Sequence, residues 1–446
     1  MTGLKGRGVV AALAAMAISA LALIAPGAAS ADACTGANIE GNGASVESVA
    51  QKEVWSPAFN ALCPKTNEQV TYTSTSASKG LESWWVLHQL SKYKGFGATN
   101  AFVTTDGGVN ASQDTEILEK GPGAKLLSIP VLQWADTLAI HLPEGCTAES
   151  GKKGKIKRLS LSDETLQAIF AHTITKWSQV ATFNDDVLVG KECDKEAPII
   201  RVVRKEGAGT TGELEKFLFE INKNPVDGSE TWNELAEEVE NIKWPDEGED
   251  LITAEKTTGV AAAVVKNAGS IGYGNLSEIR GTPAFTPAGG GGEGAAIFWP
   301  EVQSKGKKVE DPSTDGESNT PADANCSGEL YVSLNGSGKQ EKFPPASTEA
   351  LWNEVVGSTV QKASYPLCDF AYVISLTKFS DFLGSDSGNE PSPAEVETLQ
   401  NYVSFAVGST GQADLNKEHD FLGVPAGKKS GNVLAIAQAG AKKIGY

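Results

Sequence analysis

Apolar positions along the chain follow two alternating rhythms. Short runs such as VTYTSTS, residues 70–76, carry the period of two expected of strands, while VESVAQKEVWSPAF (46–59) and GLESWWVLHQL (80–90) read as helices. Strands alternating with helices are the grammar of a sheet flanked by helices, so the fold class is α/β. Residues 128–142, SIPVLQWADTLAIHL, form a long and mostly apolar extended run without a turn, suited to carrying the chain from one domain into another. Residues 159–177 hold a helix with Leu166, Ile169 and Phe170 on one face. APIIRVVR (197–204) is a buried-type strand running straight into the EGAGTT loop. GELEKFLFEINK then spaces Leu214, Phe217, Leu218 and Ile221 as a helix does, which puts that loop at a helix N-terminus. GVAAAVVKNAGSIGYGNL (259–276) predicts a helix, a turn and a strand, FAYVISL (370–376) a strand, and PAEVETLQNYVSFAV (393–407) a last helix. Between about 281 and 345 the text turns polar and turn-rich, through GGGGEG and DPSTDGESNTPADANC, and reads as a surface elaboration rather than a third core.

Composition narrows the classes. The chain has 446 residues, room for two domains. Its first 31 read as an export signal: Lys5 and Arg7, an apolar run from Val9 to Ile24, and a small-residue cleavage site at Ala29, Ser30 and Ala31. That run is short and alanine-rich, and no later segment reaches the roughly 20 apolar residues of a spanning helix. The expected location is therefore outside the membrane, periplasmic or at the cell surface. Six cysteines, Cys34, Cys63, Cys146, Cys193, Cys326 and Cys368, suit an oxidising compartment. Sequence alone leaves their pairing open. Sequential disulfides are preferred, Cys34 to Cys63, Cys146 to Cys193 and Cys326 to Cys368, because each closes a local loop. Cys34 follows the leader closely enough to suggest a lipid anchor, but Asp32 puts a charge where a lipidation box takes small or apolar residues.

A formal net charge of −18 makes nucleic acid and anionic membranes poor partners. It leaves open a small anion held by local dipoles and one placed cation. The acids from Asp311 to Asp323 lack EF-hand spacing, and no metal or cofactor is called. No HExxH or GxSxG phrase accompanies the four histidines, which argues against a hydrolase. LNGSGKQ (334–340) resembles the tail of a P-loop, yet Gln340 replaces the required Ser or Thr, so ATP binding is discounted.

Three small-residue turns each open a helix: GNGAS at 41–45, STSASKG at 74–80 and GAGTTG at 207–212. Helix starts offer unpaired N–H groups and the positive end of the backbone dipole, and together these bind anions. Any one such turn alone is more often a capped helix start, with Ser45 or Thr210 as the cap. Asp106 in FVTTDGGV and Arg204 in RVVRKEGAGTT add a carboxylate and a guanidinium. By themselves they also fit a turn acid before Gly107 and an ion pair with Glu206. Together with the turns they suit a protonated oxyanion, which can give its proton to Asp106 where sulfate cannot.

In their order, IEGNGAS, FVTTDGGV, LSLSDETLQAIFAHTITKW, RVVRKEGAGTTGELEKFL, GVAAAVVKNAGSIGYGNL and YPLCDFAYVISL resemble the phosphate-binding proteins of ABC-type phosphate importers over nearly the whole chain after the leader. The resemblance implies a two-lobed periplasmic-binding-protein fold (type II-like), each lobe a mixed sheet flanked by helices, joined by a hinge. Residues 34–130 plus 366–446 would form lobe I and residues 131–365 lobe II. It implies a monomer that is not an enzyme, which binds inorganic phosphate and delivers it to a membrane permease and its ATPase. Ser45 would donate its hydroxyl, with amides at Ala44 and Val46. Asp106 would accept the ligand's proton, Arg204 balance charge, and Gly209 and Thr210 supply an amide and a hydroxyl.

Two positions depart from the family's pattern. Ala77, between Ser76 and Ser78, and Ala208 stand where the family usually has serine. A hydrogen bond to a charged partner is worth about 1.5–3 kcal/mol, so affinity falls unless neighbours such as Ser76, Ser78 or Thr211 compensate. Arsenate, close to phosphate in shape, is the alternative ligand. A secreted phosphate-handling hydrolase is the alternative from another class.

Overall fold

The computed structural model describes residues 34–446 apart from 65–67, 85–100, 110–114, 116–122, 151–158, 181–185, 190–192, 194–196, 237–242, 293, 304–308, 317–319, 327–329, 333–340, 348, 358–363, 383–390, 417–418 and 428–430. The expected leader and the LNGSGKQ phrase lie outside the described residues.

The period-two text becomes strand where predicted. β1 (Ile39–Gly43) and β2 (Val70–Ser74) pair in parallel, and β3 (Phe102–Thr105) pairs in parallel with β1 on its other edge. The VESVAQKEVWSPAF text is helical but not uniformly so. A 3₁₀ turn at Ser45–Glu47 and a π-helical stretch at Ala50–Trp55 lead into α1 (Ser56–Leu62). α2 (Ala77–Ser83) follows β2, capped by the Ser76 hydroxyl, which accepts from the Lys79 amide at 3.2 Å.

β4 (Leu126–His141) is the long apolar run, buried along nearly its full length. After it come α3 (Asp163–Phe170), β5 (Ile200–Arg204), α4 (Gly209–Ile221), β6 (Leu251–Ala254), α5 (Lys256–Lys266), β7 (Ser270–Asn275) and α6 (Leu276–Arg280). β8 (Cys368–Leu376) and α7 (Pro393–Ala406) complete the principal elements. The sheet order is β2-β1-β3-β8-β4-β7-β5-β6, with short strands Ile297–Phe298 and Phe421–Leu422 also paired to β4. β4 changes partners midway. Leu126 to Ala135 lie antiparallel to β8, whereas Asp136 to His141 lie antiparallel to β7. Strands β5, β6 and β7 run parallel to one another as β1, β2 and β3 do.

Both faces of this sheet are covered, which explains why its central strands read as apolar runs rather than as alternation. The region after residue 281 joins the core: Phe285, Phe298, Trp299 and Val302 are fully buried. All six cysteines pair sequentially, Cys34 with Cys63, Cys146 with Cys193 and Cys326 with Cys368. Each closes a loop of tens of residues, worth about 3–4 kcal/mol of unfolded-state entropy in the chain-entropy account. Cys34, with its sulfur in a disulfide, has no thiol left to carry lipid, which removes the lipid-anchor alternative. Among the described residues no helix is long and apolar enough to cross a membrane.

Candidate anion-binding site

The C-terminal ends of parallel strands are where open α/β sheets bind ligands, because the helices that follow start there with their N–H groups unpaired. Here β1 ends at the Ser45 turn, β2 at the Ser76 turn, β3 at Asp106 and β5 at Arg204. The first two turns are locked against each other and against β3. Gly43 has φ +136°, and a Cβ there would fall 2.2 Å from the Thr104 carbonyl oxygen. A Cβ on Gly80 of α2 would stand 2.6 Å from Gly43 Cα, so two backbones touch where side chains would keep them apart.

Within this frame Ser45 is buried, and its Oγ has no protein partner. The Ala44 amide is already used, donating to the Thr104 carbonyl at 3.0 Å, while its carbonyl accepts from the Tyr72 hydroxyl at 2.8 Å. Ala44 therefore positions Ser45 instead of offering an N–H. Val46, the next residue of the 3₁₀ turn, is fully buried. In the second turn Ser76 caps α2 and lies 3.3 Å, Oγ to Oγ, from Ser78, which donates to the Gly207 carbonyl at 2.9 Å. Ala77 is the first residue of α2 and is buried.

The third turn meets Asp106 directly. The Gly209 amide donates to Asp106 Oδ1 at 2.8 Å, and a Cβ on Gly209 would lie 2.4 Å from that same oxygen. Glycine is thus required for the approach. Arg204, buried, donates through Nη1 to Thr210 Oγ1 at 3.1 Å and through Nε and Nη2 to Glu206 Oε1, the Nε bond being 3.0 Å. Glu206 Oε1 also accepts the Lys256 amide at 2.8 Å, and Lys256 Nζ donates to the Ser74 carbonyl at 3.1 Å. Thr211 shares a 2.6 Å bond with the Tyr273 hydroxyl, so it is occupied rather than a substitute for the missing serines. Ala208 precedes α4 with N-cap geometry but no side-chain cap.

The structure brings Ser76, Ala77, Ser78, Asp106, Arg204, Ala208, Gly209 and Thr210 together through these bonds, and the Ser45 turn joins them through β3. Burial pushes the Asp106 carboxyl above its usual range, opposed by the Arg204 guanidinium and the Gly209 and Thr210 amides. A carboxyl so placed readily holds or shares a proton. Lys256 and Tyr273 are the members that reading the sequence missed. Tyr273 lies within the SIGYGNL phrase, a signal that was available. Lys256 carried none, since its contacts come from β2 and from the Glu206 loop.

Residues 28–383 match the family described as PBP superfamily domain. No curated protein matches the sequence closely enough to count as a relative. Among solved structures, PfluDING, a high affinity periplasmic phosphate-binding protein bound with phosphate at pH 8.5, aligns over 90% of this chain and 93% of its own. The TM-score is 0.59 at 14% identity. A phosphate-binding protein from Stenotrophomonas maltophilia aligns with TM-score 0.58 and 16% identity, covering 90% of this chain and 93% of that one. A human phosphate binding apolipoprotein gives TM-score 0.55 and 18% identity at the same coverage. Identities this low speak to the fold alone, a mixed α/β sheet with flanking helices of the periplasmic-binding-protein kind, and the family match over most of the sequence places the chain in the PBP superfamily.

Proposed function

We propose that the protein is an extracytoplasmic receptor that grips inorganic phosphate in a cleft between two lobes, without chemistry, and hands it to an ABC-type permease and its ATPase. The observation that carries this reading is a buried Asp106 carboxyl that takes the Gly209 amide and feels the Arg204 charge, with the unpartnered Ser45 hydroxyl just past the end of the neighbouring strand β1. Dianionic phosphate beside a protonated carboxyl, and monoanionic phosphate beside a carboxylate, are the same state with one shared proton. Sulfate carries no proton at neutral pH, so an ionised Asp106 repels it and only a protonated Asp106 would accept it, whereas phosphate brings its own proton to the ionised form. Arsenate meets the same groups in the same way.

The three proteins with the fold quoted above are each described as phosphate-binding, which supports the ligand class. The bonds from Ser78 to Gly207, Gly209 to Asp106 and Lys256 to Ser74 join segments on opposite sides of the β4 partner switch, as a closed receptor requires. Release then means breaking these few bonds together.

Isothermal titration calorimetry of the phosphate-stripped protein with phosphate, sulfate and arsenate at neutral pH tests the reading. Phosphate and arsenate should bind and sulfate should not, while Asp106→Asn should lose phosphate affinity and tolerate sulfate. Heat with none of the three, or equal heat with sulfate, would overturn it.

A further inference from the structure

Part of the polar region that looked like a surface elaboration makes buried contacts around the point where β4 changes partners, through Ser313, Ala324 and Cys326. On one side, α6 follows β7 and ends at Arg280. On the other, Asp420 precedes the short strand Phe421–Leu422, which pairs with Trp134 and Gln133 of β4. Arg280 Nε lies 3.0 and 2.9 Å from the two carboxylate oxygens of Asp420, with both side chains almost wholly buried. Arg280 Nη2 also donates to Ser313 Oγ at 2.7 Å and to the Gly316 carbonyl at 3.2 Å, and its guanidinium lies 5.0 Å from the Trp299 ring centroid.

The same segment then turns back to the other side. Residues 313 and 324 bridge, the Asp420 amide donates to the Ala322 carbonyl at 2.7 Å, and the Ala324 amide donates to the Phe421 carbonyl at 3.2 Å. The Tyr365 amide donates to the Asn325 carbonyl at 2.8 Å, and Cys326 is bonded to Cys368 at the start of β8. Asp420 holds φ at 63°, a backbone state that L residues adopt reluctantly and that these bonds enforce.

We infer that residues 311–316 and 320–326 are a clasp: they fasten α6, which leaves β7 opposite Asp136, to Asp420 and β8, which lie beside the N-terminal half of β4, and so restrain rotation about the switch between Ala135 and Asp136. Any such rotation shears a buried ion pair whose two members have little water to fall back on, and separating buried partners is costly. The disulfide keeps one end of the clasp tied to β8 while the other end strains. A receptor built this way opens less far and less often than one whose two sides are joined by backbone crossings alone.

The clasp does not depend on which anion binds, so its test begins without ligand. The full chain is compared with the paired replacement Arg280→Met with Asp420→Leu, which removes the ion pair without stranding a buried charge. Small-angle scattering and hydrogen exchange are read first without anion, then with phosphate. The paired variant, still melting cooperatively, should show a larger radius of gyration. Amides whose bonds join the two sides, Gly209 foremost, should exchange roughly tenfold faster, about the loss of one hydrogen bond to a charged group. Unchanged dimensions and unchanged exchange in a folded variant would overturn the clasp. Should the pair fail to fold, Ser313→Ala, which removes the bonds that the Ser313 hydroxyl accepts from Arg280 and from the Asp315 amide, carries the same readout: faster exchange at Gly209 supports the clasp and parental exchange overturns it. Failure of phosphate to bind would sink the receptor reading and leave this ligand-free comparison intact.

Discussion

Asp106 and Asp136 are two fully buried carboxyls, the first close enough to raise the second's proton affinity, yet the chain equips them in opposite ways. Asp106 receives the Gly209 amide and faces Arg204, so the upward push of burial is partly cancelled. Asp136, at the partner switch of β4, has neither oxygen bonded, and burial with the nearby Asp106 drives its proton affinity well above the ordinary range. Glu213 of α4 resembles Asp136 in that its carboxyl is also pushed far up, by burial and by Asp369. The difference separates a site prepared for charge from a crossing that tolerates acids only while they keep their protons.

Breaking the prepared side should have the largest effect. Arg204→Gln removes the cation facing Asp106 and leaves the partly buried Glu206 beside an uncharged partner. Breaking a buried pair costs about 3–5 kcal/mol of stability, seen as a lower melting temperature, and losing a charged bond to the anion, about 1.5–3 kcal/mol, should lower phosphate affinity by roughly tenfold to a hundredfold. Adding Glu206→Gln separates the two losses: the double variant should recover stability but not binding. Recovery of binding as well would mean that Arg204 serves Glu206 and not the anion.

Much of that side was legible before the structure. The glycine spacing and upstream arginine of RVVRKEGAGTTGELEKFL placed Arg204 at a strand end and Gly209 at a helix start, and FVTTDGG marked Asp106 as a turn acid, which the structure sets at the end of β3. These are local features with local causes. The unprepared side was opaque. Leu214, Phe217 and Leu218 marked the apolar face of α4, but Glu213, Lys216 and Glu220 on the remaining face are buried too, because α4 is covered on both faces. Periodicity expects that polar face in water, and packing by distant segments overrides it. Asp136 likewise vanished inside the apolar text of β4, since nothing in a strand announces where it will exchange neighbours. Thr211 looked available to replace a missing hydroxyl until Tyr273, 62 residues further on, was seen to hold it.

Stability against pH sharpens the contrast with a moderate effect. An unfolded carboxyl titrates near pH 4, whereas Asp369, facing Glu213 and Lys216, is raised to about 7, and burial raises Asp136 and Glu213 well above the ordinary value too. Between these limits the folded chain holds protons that the unfolded chain has released, so stability is greatest at the acid end of the window and falls as pH rises through it. Melting temperatures should therefore decline from about pH 5 to pH 8. Asp136→Asn should flatten the decline, gaining on the order of 1–3 kcal/mol at the alkaline end and little at the acid end. A parallel shift at every pH would show that the substitution acts through packing instead.

The smallest effect bears on the two alanines. Ala208 has the extended backbone of an N-cap, φ −151° and ψ 138°, but offers α4 no side-chain bond, whereas Ser76 already caps α2 in front of Ala77. A serine at position 208 gains on two counts, accepting an amide of the first turn of α4 and donating to an anion beside Asp106. The cap alone is worth about 1 kcal/mol of stability whether or not ligand is present. The anion bond adds about 1.5 kcal/mol, roughly tenfold in affinity, only when ligand is bound. Ala77→Ser meets a helix start that is already capped and should add less stability than Ala208→Ser. Melting curves and calorimetry on the two variants separate these contributions. If Ala208→Ser raises stability but leaves phosphate affinity unchanged, the turn lies too far from the anion for a hydroxyl to matter. Asp106 and Arg204 would then carry the recognition with the Ser45 hydroxyl alone.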